Sequence, residues 1–229
     1  MSLLVAEAPP NPWFSVDYVR DNADDLLLAG REHVTITVVA VALAVAVSVP
    51  LALLVRRYRP LETPVLALSG VLYTVPSLAL ITGLWPVFGL SPMTVIVALA
   101  LYALLVVLRN ILVGLDGVPG DAVDAARGMG YGNGRLLWQV QVPLALPTIL
   151  AGVRVATVST VGLVTIGALV GHGGFGSLIL GGFVNNFYHA QIMTATLACV
   201  ALALLFEGAL VLLERALTPW ARVQRAAAG

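Results

Sequence analysis

The sequence contains no lysine and few charged residues of any kind. Only 10% of its 229 residues are charged, against roughly a quarter in ordinary soluble domains. All twelve basic residues are arginine, so the chain cannot supply the lysine that a phosphate-binding P-loop requires. If nucleotide hydrolysis drives this protein, another chain must bind the nucleotide.

Cysteine is almost absent as well. Cys199 is the single cysteine of the sequence, which excludes an intrachain disulfide and a cysteine metal cluster. The long apolar runs carry no clustered His, Asp and Glu that could act as a catalytic centre. The formal net charge is zero, which gives no electrostatic basis for binding nucleic acid. We therefore expect no catalytic residue, no metal site and no nucleic acid partner.

Apolar residues are abundant instead. They make up 59% of the chain, and the mean hydropathy is +0.97. A helix needs about 20 apolar residues to cross a bilayer, and the stretches 63–108 and 155–206 contain no Asp, Glu, Lys or Arg. The sequence therefore predicts an all-α integral membrane protein with about five transmembrane helices. We place them near 34–55, 64–84, 92–113, 149–170 and 190–213.

The arginines fall unevenly across these predicted spans. In a five-span arrangement ten of them lie on one side, which the positive-inside rule marks as the cytoplasm. They are Arg56, Arg57, Arg59, Arg109, Arg127, Arg135, Arg154, Arg215, Arg222 and Arg225. The first 32 residues, on the other side, carry six acids and two arginines. This is the reverse of a signal peptide's basic start, so we expect no cleaved leader and an N-terminus outside the cell.

These assignments divide the chain into three parts. Residues 1–32 form an extracytoplasmic segment, residues 33–214 a transmembrane domain, and residues 215–229 a cytoplasmic tail. Within the first part, residues 13–32 are predicted either as a short helix on the outer surface or as a partly ordered tail.

One polar segment, 119–147, interrupts the apolar runs on the predicted cytoplasmic side. Pro119 is typical of a helix start, and the sequence predicts a short helix over 120–129. Glycines at alternate positions then favour a sharp turn. A second short helix is predicted over 135–142, with Pro143 between it and the fourth span. The segment is thus predicted to form a helical hairpin beneath the bilayer.

The same segment resembles the cytoplasmic signature of permease subunits of bacterial ABC importers. That signature is Glu-Ala-Ala, three residues, Gly, nine residues, Ile, one residue and Leu-Pro. This chain departs from it by Asp for Glu and by Val for Ile and Leu. The resemblance implies a coupling helix that docks on an ATP-binding subunit, and an ordinary amphipathic connector is the alternative. The matching residues are Asp124, Ala125, Ala126, Gly130, Val140 and Pro143.

The resemblance narrows to osmoprotectant permeases over residues 35–215. Residues 73–79, Tyr-Thr-Val-Pro-Ser-Leu-Ala, resemble their Thr-Ile-Pro-Ser-Leu-Ala stretch. This implies a type I ABC importer transmembrane domain in a bacterial cell membrane, carrying glycine betaine, choline, carnitine or proline. It also implies a second permease subunit, identical or homologous, an extracytoplasmic binding protein, and a pair of ATP-binding subunits that hold ATP and Mg²⁺. The alternatives are a methionine or other amino-acid importer and an ion-coupled secondary carrier.

Three further groups of residues are candidates for a role in transport. Pro76 interrupts the second span, and broken helices often line transport pathways, although a packing kink would explain it equally. Aromatic faces attract quaternary ammonium cations, so the nearby Tyr73 is a candidate contact. The predicted pathway residues are Tyr73, Thr74, Pro76 and Ser77.

The glycines at 171–176 fit the dinucleotide pattern G-x-G-x-x-G, which requires a strand before it and a helix after it. Here the pattern follows a membrane span. We therefore predict a turn into a re-entrant or surface helix that could help to form an outer gate, with His172 a solvated loop residue. The glycines are Gly171, Gly173, Gly174 and Gly176.

Glu207 lies inside the fifth predicted span, where an unpaired carboxylate is costly. Arg154, at the cytoplasmic start of the fourth span, is its candidate partner. We predict a structural ion pair, and Glu207 is also the only candidate ion site for a secondary carrier.

Overall fold

A computed structural model describes residues 11–220, and over those residues the chain is helical with no strand. The prediction of an all-α fold is confirmed. The first ten residues of the N-terminal segment, and Arg222 and Arg225 of the predicted tail, lie outside the described residues. The α-helices are α1 Val16–Asp21, α2 Ala23–Arg57, α3 Glu62–Thr74, α4 Ser77–Phe88, α5 Pro92–Asp116, α6 Gly120–Gly128, α7 Asn133–Leu136, α8 Val142–Val164, α9 Phe175–Val184 and α10 His189–Leu217.

Four helical runs in the described part of the chain are long and apolar enough to cross a membrane. They are α2, α5, the run Asn133–Val170 that contains α8, and α10. Each contains one of the predicted spans. The helix that contains the first predicted span begins earlier than the span, at Ala23. Residues 23–32 therefore belong to the same helix, and only the short α1 precedes it as a separate helix.

The second predicted span, 64–84, is not one helix. It consists of α3 and α4, which meet at an angle of 99°. Between them Val75 and Pro76 are both extended, with ψ of 130° and 134°. Proline has no N–H for the helical ladder and forces the residue before it out of the helical region. Pro76 thus breaks this segment, which is more than the interruption predicted.

An ion pair shows on which side of the molecule the bent segment begins. Arg59 Nη2 lies 2.7 Å from Asp116 Oδ1, so α2 and α5 end at the same side of the molecule. Because α5 has 25 residues, its first residue, Pro92, lies about 37 Å away at the opposite side. The chain from Arg59 to Pro92 must therefore traverse the molecule, and α3 with α4 forms a broken fifth crossing.

The core is built around α5, which packs between α2 and α8. It runs parallel to α2, since Ser48 Oγ lies 3.4 Å from Leu104 O and the ends of both helices meet at Arg59 and Asp116. It runs antiparallel to α8. Small residues let these two helices approach closely. The facing pairs are Gly114 with Ala145, Asn110 with Gly152 and Val95 with Gly167.

Candidate functional site

The predicted hairpin begins with α6, which ends in a defined capping motif. The Gly130 N–H donates to Arg127 O at 2.9 Å and the Tyr131 N–H donates to Ala126 O at 3.1 Å. This pair of bonds is the Schellman arrangement, which needs a left-handed residue after the helix. Gly130 supplies it with φ +83°. The glycine of the signature therefore sets where α6 stops.

The second arm of the hairpin differs from the prediction. Instead of a separate helix over 135–142, the chain is helical without a break from Asn133 to Val170. A π-helical turn, Leu137–Gln141, joins α7 to α8. Pro143 follows directly and lies inside the first turn of α8, where its missing N–H removes one bond of the helical ladder. The second arm is thus the lower end of the fourth crossing.

Burial sorts the six predicted coupling residues into three groups. Asp124, Ala125 and Gly130 are exposed at the end of the molecule. Ala126 is 2% exposed and packs inward against its own chain, so it cannot contact a partner as expected. The correction follows from helical geometry, because consecutive residues point about 100° apart. Val140 and Pro143 are half-buried in the second arm and support the hairpin from behind.

Two large apolar side chains of the hairpin are also exposed, and neither was predicted as a functional residue. Met129 is 69% exposed and Trp138 is 60% exposed. With Asp124, Ala125 and Gly130 they form what we call the docking face. Exposed Met and Trp in a polar segment are typical of binding surfaces, and that composition could have identified them from the sequence.

The docking face also carries a weak internal ion pair. Asp124 Oδ1 lies 3.8 Å from Arg127 Nη1, and both side chains are more than half exposed. Such a pair contributes about 0–1 kcal/mol. The Asp124 carboxylate therefore remains available for a charge-assisted hydrogen bond to another protein.

A basic cleft lies next to this face. Its volume is about 430 Å³, and it separates the end of α2 from the hairpin. Arg56, Arg57 and Arg127 line it, and Arg56 Nη1 donates to Gln141 Oε1 at 3.2 Å. The hairpin is therefore flanked by positive charge on this side.

The predicted pathway residues surround the break between α3 and α4. Tyr73, Thr74 and Pro76 are exposed, and Ser77 is half-buried. The Thr74 hydroxyl donates to Val71 O at 2.7 Å within α3. These side chains, with Ser77 beside them, lie on a surface that the described chain leaves largely open, and their part in a pathway stays a prediction.

A tyrosine from α5 completes the break. The Tyr102 hydroxyl donates to Val75 O, and its ring meets that of Tyr73 edge-on with centroids 5.7 Å apart. Since Pro76 opens the helical ladder here, the carbonyl needs a partner from another helix. Sequence reasoning did not identify Tyr102, because its distance from Pro76 along the chain hides the contact.

The glycine-rich turn at 171–176 leads into α9, a helix too short to cross a membrane. Its glycines permit close packing. A Cβ on Gly173 would lie 2.3 Å from Ala168 N, and one on Gly176 would lie 2.4 Å from Thr165 Cα. Gly171 and Gly174 have φ of +87° and +52°. The pattern is therefore explained by backbone contacts between the turn and the end of the fourth crossing.

His172 in this turn is not a solvated loop residue. Its Nδ1 lies 3.0 Å from Glu32 Oε1, and both side chains are largely covered. No local sequence pattern signals this contact, which joins the turn to the start of the first crossing.

The structure brings the predicted ion pair together and adds a second acid. Arg154 Nε lies 3.2 Å from Glu207 Oε1, and its Nη1 lies 3.3 Å from Glu214 Oε2. Both carboxylates come from α10, two helical turns apart. One guanidinium thus joins α8 to α10 at two points, whereas the sequence predicted one.

Within residues 11–220, no group of three or more His, Cys, Asp or Glu side chains is arranged to hold a metal ion.

Comparison with known proteins shows what this arrangement is similar to. Residues 36–223 match the family described as binding-protein-dependent transport system inner membrane component. The chain is 36% identical over 204 residues to a carnitine transport permease of Listeria monocytogenes, covering 89% of this chain and 93% of that protein. It is 35% identical over 210 residues to an osmoprotectant import permease of Salmonella typhimurium, covering 90% and 97%. It is 33% identical over 204 residues to a choline transport permease of Bacillus subtilis, covering 89% and 94%.

Solved structures share the fold. A chain of the MetNI methionine ABC transporter in an inward-facing conformation superposes with a TM-score of 0.75 at 24% identity, covering 90% of this chain and all of that one. A chain of an amino acid ABC transporter solved with histidines gives a TM-score of 0.74 at 19% identity, covering 88% and 98%.

Proposed function

This chain belongs to the family of binding-protein-dependent transport system inner membrane components, and we propose on that premise that it carries an osmoprotectant such as glycine betaine, choline, carnitine or proline. The relatives that it matches are transport permease subunits. The substrates in their names, carnitine and choline among them, are small and bear a quaternary ammonium group. The comparisons favour osmoprotectants over methionine, because the methionine transporter is similar in fold alone.

We also propose that the chain works with a separate ATP-binding subunit, and the docking face is the observation that carries this proposal. The hairpin exposes an acid and an alanine on α6, Met129 at the end of α6, and Trp138 on the second arm. A membrane protein that works alone has no need of such a surface. The lack of lysine in the chain supports the proposal that a separate subunit binds and hydrolyses ATP on this face.

The charges support an orientation. The docking face lies at the same end as Arg56, Arg57 and Arg59, and residues 17–32 at the other end are rich in acid. By the positive-inside rule the hairpin and the end of α10 are cytoplasmic, in the inner membrane of a bacterium. The turn at 171–176 then lies outside, where a binding protein would deliver the substrate to a pair of permease subunits.

An ion-coupled carrier receives less support. Its candidate ion site, Glu207, is occupied by Arg154 at 3.2 Å. This carboxylate therefore already has a charged partner from the same chain. The pair instead joins two crossings, which is a structural task.

Reconstitution tests the proposal. The permease, an ATP-binding subunit and a binding protein from the same bacterium are placed in liposomes, and uptake of radiolabelled glycine betaine, choline, carnitine, proline and methionine is measured. We expect ATP-dependent uptake of at least one of the first four and none of methionine. Uptake by the permease alone, driven by an ion gradient, would overturn the proposal, and ATP-driven uptake of methionine alone would overturn the substrate class.

A further inference from the structure

Two adjacent residues of α2 hold the start of α9. Glu32 Oε2 accepts a hydrogen bond from the Gly174 N–H at 3.1 Å, and His33 Nδ1 accepts one from the Phe175 N–H at 3.3 Å. The first N–H groups of a helix have no partner inside the helix. Here the partners come from a side-chain pair 142 residues away in sequence.

Both nitrogens of the His33 ring are in use. Nε2 lies 2.9 Å from Val161 O, so it must donate, while Nδ1 must accept from the Phe175 N–H. The residue is fully buried. The contacts therefore fix a neutral imidazole with its proton on Nε2, because a second proton on Nδ1 would point at another N–H. One side chain thus joins α2, α8 and α9.

The backbone is shaped around this side chain. A Cβ on Gly174 would lie 2.6 Å from His33 Cβ, and one on Gly30 would lie 3.2 Å from the Phe175 ring. The His33 and Phe175 rings lie 5.5 Å apart. The turn before α9 therefore fits closely over residues 30–33 of α2, and a shift of α9 would have to break both of its hydrogen bonds to this pair.

We infer that Glu32 and His33 are positioning residues which latch α9 to the first crossing and so fix the outer end of the molecule. The latch consists of the two bonds to the Gly174 and Phe175 N–H groups. His172 supports it by holding the other Glu32 oxygen at 3.0 Å. The contacts of the latch do not depend on the proposed function. Only the assignment of the latch to the outer side of the membrane rests on it.

The latch affects more than α9 itself, because α9 lies between two membrane crossings in the chain. It is joined through the glycine turn to α8 and through residues 185–188 to α10. Asn186 and Phe187 in that connection have φ of +53° and +54°, a region that non-glycine residues seldom occupy. Release of α9 would therefore move the outer ends of two crossings together.

His33 permits a matched pair of substitutions. In His33→Asn the amide oxygen can take the place of Nδ1 and still accept from the Phe175 N–H. In His33→Gln the longer side chain can reach Val161 O but offers nothing at the Nδ1 position. Glu32→Ala removes the hydrogen bond to the Gly174 N–H. Glu32 is partly exposed, so the loss of its side chain should disturb folding less.

The position of α9 can be measured directly, without transport. Spin labels are placed at Leu27 and Val184, which are 62% and 77% exposed, in full-length chain carrying Cys199→Ser, and their distance is measured in lipid nanodiscs. We expect one narrow distance for the parent and for His33→Asn. We expect His33→Gln and Glu32→Ala to add a second distance, with the displaced share rising roughly tenfold, as the loss of one hydrogen bond to a buried group implies.

A parent-like distance distribution in both His33→Gln and Glu32→Ala would overturn the latch. Nitrogen-15 resonances of the imidazole, assigned by their loss in His33→Asn, provide a second check. They should show a protonated Nε2 and a bare Nδ1, and a proton on Nδ1 would contradict the assignment. Because neither measurement needs substrate or ATP, failure of the uptake experiment would leave both results interpretable.

Discussion

The Tyr102 hydroxyl donates a hydrogen bond to Val75 O, the last carbonyl before Pro76. Val75 lies where the second crossing bends by 99°, and Tyr102 lies near the middle of α5. A backbone carbonyl inside a bilayer is costly unless it is bonded. The Tyr102 side chain therefore offsets the free-energy cost of breaking the helix at this point.

Removal of this hydroxyl should destabilise the protein. We expect Tyr102→Phe to lower the free energy of unfolding by about 1–2 kcal/mol, since it leaves a part-buried carbonyl without its donor. Thermal unfolding of the purified chain in detergent measures the change. Tyr73→Phe is the matched control, because it alters the neighbouring ring of the same pair, which is 47% exposed. An equal effect of the two variants would contradict the role given to Tyr102.

The contact between α5 and α8 depends on a glycine. A Cβ on Gly152 would lie 2.3 Å from Asn110 Cβ, so Gly152→Ala must separate the two helices. We expect a loss of about 1–3 kcal/mol, as for other overpacked sites. Gly162→Ala in the same helix meets open space and should leave the melting temperature unchanged or slightly raised. Comparison of the two melting temperatures decides the matter, and similar values would be inconsistent with this packing.

The end of α6 depends on another glycine for a different reason. Gly130 has φ +83°, and no atom lies within 4 Å of the place that a Cβ would take. Gly130→Ala therefore adds backbone strain of about 1–2 kcal/mol and no clash. Gly128→Ala, inside α6 and also in open space, is the control. Hydrogen exchange at the Gly130 and Tyr131 amides should quicken only in the first variant. Unchanged exchange there would mean that the capping motif does not need glycine.

The pairing of Arg59 with Asp116 joins the ends of two crossings. The guanidinium donates to both carboxylate oxygens, at 3.0 and 2.7 Å. Because both side chains are more than a third exposed, we expect a coupling energy of only about 0.5–1 kcal/mol. A double-mutant cycle with Arg59→Gln and Asp116→Asn, followed by thermal unfolding, measures it. Strict additivity of the two substitutions would show that the pair marks the topology without stabilising it.

Hydropathy was sufficient to predict the crossings. Runs of apolar residues directly predict long buried helices, and the four long runs lie where they were expected. The broken crossing was anticipated at Pro76, but its angle was not. The angle depends on how α4 packs and on a hydroxyl from α5, and no local pattern encodes either.

The polar contacts were also predicted only in part. The pairing of Arg154 with Glu207 was predicted because an acid inside a span needs a base nearby, but the second acid, Glu214, was missed. The contacts of Glu32 and His33 with α9 were also missed, since they join segments 142 residues apart. Ala126 was expected on the docking face from its place in the signature, and only the three-dimensional structure shows that it points inward.

The docking face is the central claim, and binding of the ATP-binding subunit tests it most directly. Ala125→Arg places a charged side chain in the middle of this face, whereas Thr63→Arg adds the same charge at the same end of the molecule, outside the hairpin. The amount of ATP-binding subunit that copurifies with each permease is measured. We predict a loss of roughly tenfold or more for Ala125→Arg, as expected when an unpaired charge is buried in an interface, and a parent-like amount for Thr63→Arg. Parent-like copurification with Ala125→Arg would contradict the account.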